Sequence, residues 1–146
     1  MKTKPRIVIA LDYGKARVGV AISDDLGMLA HPRPALDAEN RKVLLASIAS
    51  RAREESATHV LVGLPLEMGG AMGPSAQRCI TFAQAVADVT GLEVELVDER
   101  LTTVEAQRKL GAAGRAKKDQ KAYIDGASAA VMLQAWLDKG VDRGDG

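Results

Sequence analysis

The stretch Ile7-Val8-Ile9-Ala10-Leu11-Asp12-Tyr13-Gly14-Lys15-Ala16-Arg17-Val18-Gly19-Val20-Ala21-Ile22-Ser23-Asp24 decides the architecture. Its first five residues are uninterruptedly apolar, the pattern of a strand buried on both faces near the middle of a sheet. Asp12 follows that strand at once, where an unpaired carboxylate is costly to bury or takes up a proton. A cation, a metal ion or backbone donors should therefore meet it. Gly14 suits a tight turn or a close backbone approach, and Arg17 to Asp24 reads as a returning strand. The chain thus begins with a central hairpin that carries a carboxylate at its hinge.

Working outward, Gly27 to Pro34 supplies a third strand, which Pro32 and Pro34 confine to a sheet edge or to strand ends. A helix follows from about Glu39 to Glu55, capped by Asp37 or Asn40, with Leu44, Ile48 and Ala52 on one face. His59 to Leu64 is another buried strand, ended by Pro65. After the Gly/Met-rich loop Leu66 to Gly73, Pro74-Ser75 opens a helix that runs to Gly91. Glu93 to Asp98 alternates, as a strand with one better-buried face does. Thr102-Thr103-Val104-Glu105 is a capping box for a short helix ending near Gly111 or Gly114. An Ala-rich helix closes the chain from about Ala122 to Lys139, and the tail from about 140 is loose.

Three strands joined by turns and then alternating strands and helices describe an α/β fold. The expectation is a mixed five-stranded sheet with helices on both faces, forming a single domain over residues 1–146. Right-handed crossovers place the fourth and fifth strands beside the first. Asp12 then shares a rim with Asp98 and Glu99, where open α/β sheets bind ligands.

An apolar fraction of 47% argues against disorder, and an aromatic fraction of 3% leaves the core to Val, Ile, Leu and Ala. No apolar run reaches the ~20 residues that span a bilayer. The basic start lacks a signal-peptide core, and the lone Cys79, read as a small buried helix residue, cannot close an internal disulfide. A cytoplasmic protein with no membrane partner is expected. Net charge is +1, but residues 100–123 hold seven basic and two acidic side chains, +5, against −4 for the remainder. Such asymmetry fits one anion-facing side.

Asp125 is the third acid of interest, because it heads an otherwise apolar helix stripe of Ala129, Met132 and Trp136. Taken singly, each acid has an ordinary reading: Asp12 as a turn former, Glu99 paired with Arg100 or another base on the surface, Asp125 complementing a helix dipole. Taken together, three carboxylates repel one another unless a cation joins them. Hard oxygen ligands without a convergent His or Cys cluster point to Mg²⁺ or Mn²⁺. Two such ions ~4 Å apart can activate water and stabilise the leaving oxygen of a phosphodiester. His31 and His59 read as structural.

The patterns Asp12-x-Gly14-x-x-Arg17-x-Gly19-x-Ala21, Val62-Gly63-Leu64-Pro65-Leu66, Asp98-Glu99-Arg100-Leu101-Thr102-Thr103 and Asp125-x-x-Ser128-Ala129-Ala130-x-x-Leu133 occur in that order. Together they resemble the YqgF/RuvX family, described as Holliday-junction resolvases and pre-16S rRNA nucleases of RNase H-like fold. The resemblance covers Ile7 to about Leu137. It implies a nuclease whose metal-binding, catalytic acids are Asp12, Glu99 and Asp125, with Arg17, Arg100 and Lys118 or Lys121 contacting phosphate. Lys15, Thr102, Arg115 and Lys117 complete the expected substrate-facing set. Arg115 to Lys121, with no apolar residue larger than Ala, reads as a basic flap over the substrate backbone. Glu67 and Gly69 depart from the family, which often carries Asn and Asp in that loop.

The expected partner is structured nucleic acid, either RNA such as pre-rRNA or branched DNA. Symmetric cutting of a junction would favour a homodimer over a monomer. Tyr13, Phe82, Tyr123 and Trp136 are the whole aromatic set, and Phe82 and Trp136 read as core. Recognition should therefore rest on phosphate geometry rather than base identity. Two rival readings are a non-catalytic nucleic-acid-binding module and an actin-like kinase, the latter requiring a second nucleotide-binding domain.

Overall fold

The computed structural model describes residues 6–101, 108 and 120–142, with backbone alone at 101, 120–125 and 141–142. Its elements are β1 (Val8–Tyr13), β2 (Arg17–Ser23), β3 (Ala30–Asp37), α1 (Arg41–Glu54), β4 (His59–Leu64), α2 (Pro74–Thr90), β5 (Glu93–Asp98), a 3-10 turn (Glu99–Leu101) and α3 (Gln120–Asp142). The capping-box helix and the basic residues Arg115, Lys117 and Lys118 lie outside the described residues, as does Thr102.

The sheet order is β3-β2-β1-β4-β5, so the apolar run of β1 lies at its centre, as its composition requires. β1 pairs antiparallel with β2 and parallel with β4, and β4 pairs parallel with β5. β1 runs past Leu11 to Tyr13, which puts Asp12 inside the strand and opposite Gly19, not beyond its end. The turn itself is closed by Gly14, whose N–H donates to the Arg17 carbonyl at 3.0 Å. A Cβ at Gly14 would sit 2.8 Å from that carbonyl oxygen.

The prolines behave as expected: Pro32 and Pro34 lie in β3, an edge strand that tolerates missing N–H donors. The strand itself begins at Ala30, three residues later than the sequence pattern indicates. The fifth strand is the larger correction. It lies outside β4 rather than beside β1, and only Val97 on it is buried. Its alternating pattern is that of an exposed edge.

Two apolar layers sandwich the sheet. On one face Ile9, Leu11, Val20, Val60 and Val62 meet Leu44 and Ile48 of α1 and Cys79, Phe82 and Val86 of α2. On the other, Val8, Ala10, Ala21, Ala30 and Leu61 meet Ala129, Ala130, Met132, Leu133 and Leu137 of α3. Each large aliphatic or aromatic side chain buried there contributes roughly 1.5–3 kcal/mol. Asn40 caps α1 by accepting from the Val43 N–H at 3.0 Å, while Pro74 opens α2 and Gly91 closes it with φ 71°. Among the described residues, no helix is long and apolar enough to cross a membrane.

Candidate active site

Side chains alternate along a strand. Since Val8 and Ala10 face α3, Asp12 projects to the same side, at the C-terminal end of β1. Glu99 begins the turn that ends β5, which stands two strands away from β1. At 4.7–4.9 Å per strand, their backbones are roughly 10 Å apart. The side chains nevertheless approach, with the Asp12 carboxyl within hydrogen-bonding reach of Glu99.

The passage lies over Gly63 of β4. A Cβ built there would come within 2.5 Å of Glu99 Oε1 and 3.0 Å of its Cδ and Cγ. Two carboxyl groups this close disfavour a second negative charge. Burial of Glu99, then hydrogen bonding with Asp12, then the charges of Asp12 and Asp98 push its pKa up to about 7. The same pair helps raise the pKa of the buried Cys79 thiol, after burial itself. Cys79 is the small buried helix residue expected, inert as a nucleophile in this setting.

The expected third acid, Asp125, lies on α3, which packs on the Asp12 side of the sheet. Its carboxylate lies outside the described atoms. The next residue, Gly126, touches the sheet so closely that a Cβ would sit 2.5 Å from the Val20 carbonyl oxygen and 3.1 Å from the Arg33 N. Val20 is the partner of Leu11, so the first turns of α3 lie level with the end of β1. Among the described residues, no group of three His, Cys, Asp or Glu side chains forms a cage. The two carboxylates brought together are hard oxygen donors, and a cation between them would relieve their repulsion.

Of the expected phosphate-binding residues, Lys15 lies in the β1–β2 turn and Arg17 opens β2, both exposed, on the hairpin that carries Asp12. Lys121 lies in α3, with its side chain beyond the described atoms. Arg100 is engaged: its Nε and Nη2 hold both oxygens of Asp98 through three bonds of 2.8–3.2 Å, and its backbone N–H adds a fourth at 2.9 Å. That pairing keeps the Asp98 carboxyl below its ordinary range. Glu99 is therefore not the partner of Arg100. Tyr13 stacks on Phe82 with ring centroids 4.2 Å apart, which occupies one of its faces. His59, bonded to Thr58 and close to Glu93, lies at the opposite end of the sheet from Asp12.

Two contributions escape a residue-by-residue reading of the sequence. Gly63 is one, although an isolated glycine inside an apolar strand is a known sign of close approach. Glu67 is the other. Its backbone ties the loop through Gly70 N–H and Ala71 C=O, and its carbonyl accepts from Arg100 Nη1 at 3.4 Å. Its carboxylate lies against Gly73, the N-cap of α2, where a helix favours negative charge.

The mixed five-stranded sheet, ordered β3-β2-β1-β4-β5 between helices on both faces, is an RNase H-like α/β fold. T. thermophilus RuvC, solved in complex with a Holliday junction substrate, has the same fold, with a TM-score of 0.57 at 12% identity over 94% of this chain and 96% of that one. The chain belongs to the RuvX Holliday junction resolvase family, whose model matches residues 6–139. A relative from Anaeromyxobacter sp. (strain Fw109-5), named "Putative pre-16S rRNA nuclease", is 42% identical over 130 residues, covering 89% of this chain and 95% of the relative. One of the same name from Mycobacterium ulcerans (strain Agy99) is 44% identical over 132 residues, covering 90% and 78%.

Proposed function

We propose that the protein is a metal-dependent nuclease that hydrolyses phosphodiester bonds of structured nucleic acid, with Asp12, Glu99 and Asp125 as its metal-binding acids. The observation that carries this reading is the meeting of Asp12 and Glu99 across an intervening strand. Family membership and relatives named for pre-16S rRNA support a nuclease acting in the processing of that RNA, and the family description supports a branched-DNA substrate. Mg²⁺ or Mn²⁺, one or two ions, would neutralise the clustered carboxylates and polarise the scissile phosphate and its attacking water. Asp12 and Glu99 would hold the ion as carboxylates. Lys15 and Arg17 would orient the substrate backbone beside them, and Arg100 would brace Asp98 and the Glu67 loop.

Purified protein should cleave precursor 16S rRNA or four-way DNA junctions in Mg²⁺ or Mn²⁺, spare linear controls, and stop with EDTA. Junction cutting should come with a homodimer, because two symmetric cuts need two sites. Binding without cleavage in either metal would reject the nuclease reading in favour of a binding module.

A further inference from the structure

Gly63 lies buried in the middle of the sheet, inside an otherwise apolar strand. Glycine weakens a strand interior, so its presence there needs a reason. Backbone conformation is not that reason, because Gly63 is absent from the glycines with positive φ (Gly27, Gly69, Gly70 and Gly91). Its register partner on β5 is Val97, and continuing the β1–β4 register by one residue sets it alongside Asp12. It therefore occupies the one strand position between the two acids, on the face they share. The volume a side chain would fill holds the Glu99 carboxylate, 2.5 Å from the site of a Cβ.

We propose that Gly63 is a positioning residue, whose missing side chain opens the passage over β4 through which the Glu99 carboxylate reaches Asp12. The glycine acts through Glu99 and touches no substrate. The inference deepens the nuclease reading, but rests on it only for the metal-affinity part of its test.

The atoms an added methyl would strike belong to the far end of a flexible side chain, not to backbone. Gly63→Ala should therefore remain folded, with Glu99 swung out toward solvent. A crystal structure of the metal-free variant is expected to have the Glu99 carboxylate away from Asp12. Calorimetric Mn²⁺ affinity should fall about tenfold or more, as it does when the support of a metal ligand is removed. Adding Gly63→Ala to Glu99→Ala should change that affinity by less than about twofold, since the shared target is already gone. A variant crystal with Glu99 still against Asp12 overturns the proposal. So does loss of folding in both backgrounds, which would make the glycine a packing residue, whereas loss only with Glu99 present supports the clash. If the wild-type protein bound no Mn²⁺, the metal reading would fall while the crystal comparison still decided the role of Gly63.

Discussion

Two carboxyl groups meet at the end of β1, and their closeness carries consequences for both stability and catalysis. Glu99 has its pKa raised from the ordinary 4.5 to about 7 by burial and by Asp12. Its folded-state pKa lies above the unfolded value, so its contribution to metal-free stability is fully present below about pH 4.5 and is lost as pH rises through about 7. The melting temperature in EDTA should fall across that window, and Glu99→Gln should flatten the fall. A wild-type curve with no slope there would contradict the raised pKa of Glu99. With metal present the same charges are needed. Asp12→Asn, Glu99→Gln and Asp125→Asn should each slow cleavage by roughly 100-fold or more, about 2.7 kcal/mol of transition-state stabilisation. Wild-type turnover in any two of these variants would remove the site.

At the level of elements, the placement of α3 governs which residues approach the end of β1. Two features fix it. Gly126 lets the helix touch the β2–β3 pair, and here the neighbours of an added Cβ are the Val20 carbonyl and the Arg33 N, backbone atoms that cannot swing away. Gly126→Ala should therefore destabilise the protein by about 1–3 kcal/mol, the range for overpacking, in contrast to the tolerated change at Gly63. The second feature is Gln134, wholly buried on α3. Its Oε1 accepts from the Ala30 N–H at 3.0 Å, and its Nε2 donates to the Met28 carbonyl at 2.8 Å. Gln134→Leu leaves the Ala30 N–H unpaired and should cost about 1–3 kcal/mol in denaturant melts, with the m-value unchanged. A shift below a few tenths of a kcal/mol at both positions would mean that α3 is not held as described.

Over the whole molecule, charge is unevenly spread, with +5 on residues 100–123 against −4 elsewhere. That basic run extends into the first turn of α3, so a segment able to neutralise phosphates leads into the helix that carries Asp125. Replacing Arg115, Lys117, Lys118 and Lys121 by Gln should weaken binding to all sequences about equally. The slope of log affinity against log salt should flatten by about 0.7–0.9 for each phosphate that the variant no longer neutralises. An unchanged slope, measured by fluorescence anisotropy on a labelled substrate, would remove these side chains from the binding surface.

The sequence by itself determined the central strand, because five consecutive apolar residues before Asp12 admit few other positions in an α/β sheet. It also limited the Pro32–Pro34 strand to a sheet edge or to strand ends and located α1 and α2 to within a few residues, where caps, prolines and a terminal Gly91 are local signals. Asp12 and Glu99 were legible as a shared rim, since parallel strands bring their C-terminal ends together. Local patterns do not report which strand neighbours which, and only the tertiary structure placed β5 outside β4. That placement makes the meeting of the acids a question of crossing a strand, and gives Gly63 its part. It also assigned Arg100 to Asp98, leaving Glu99 to Asp12. An ion pair depends on where side chains end in space, and adjacency in sequence does not determine it.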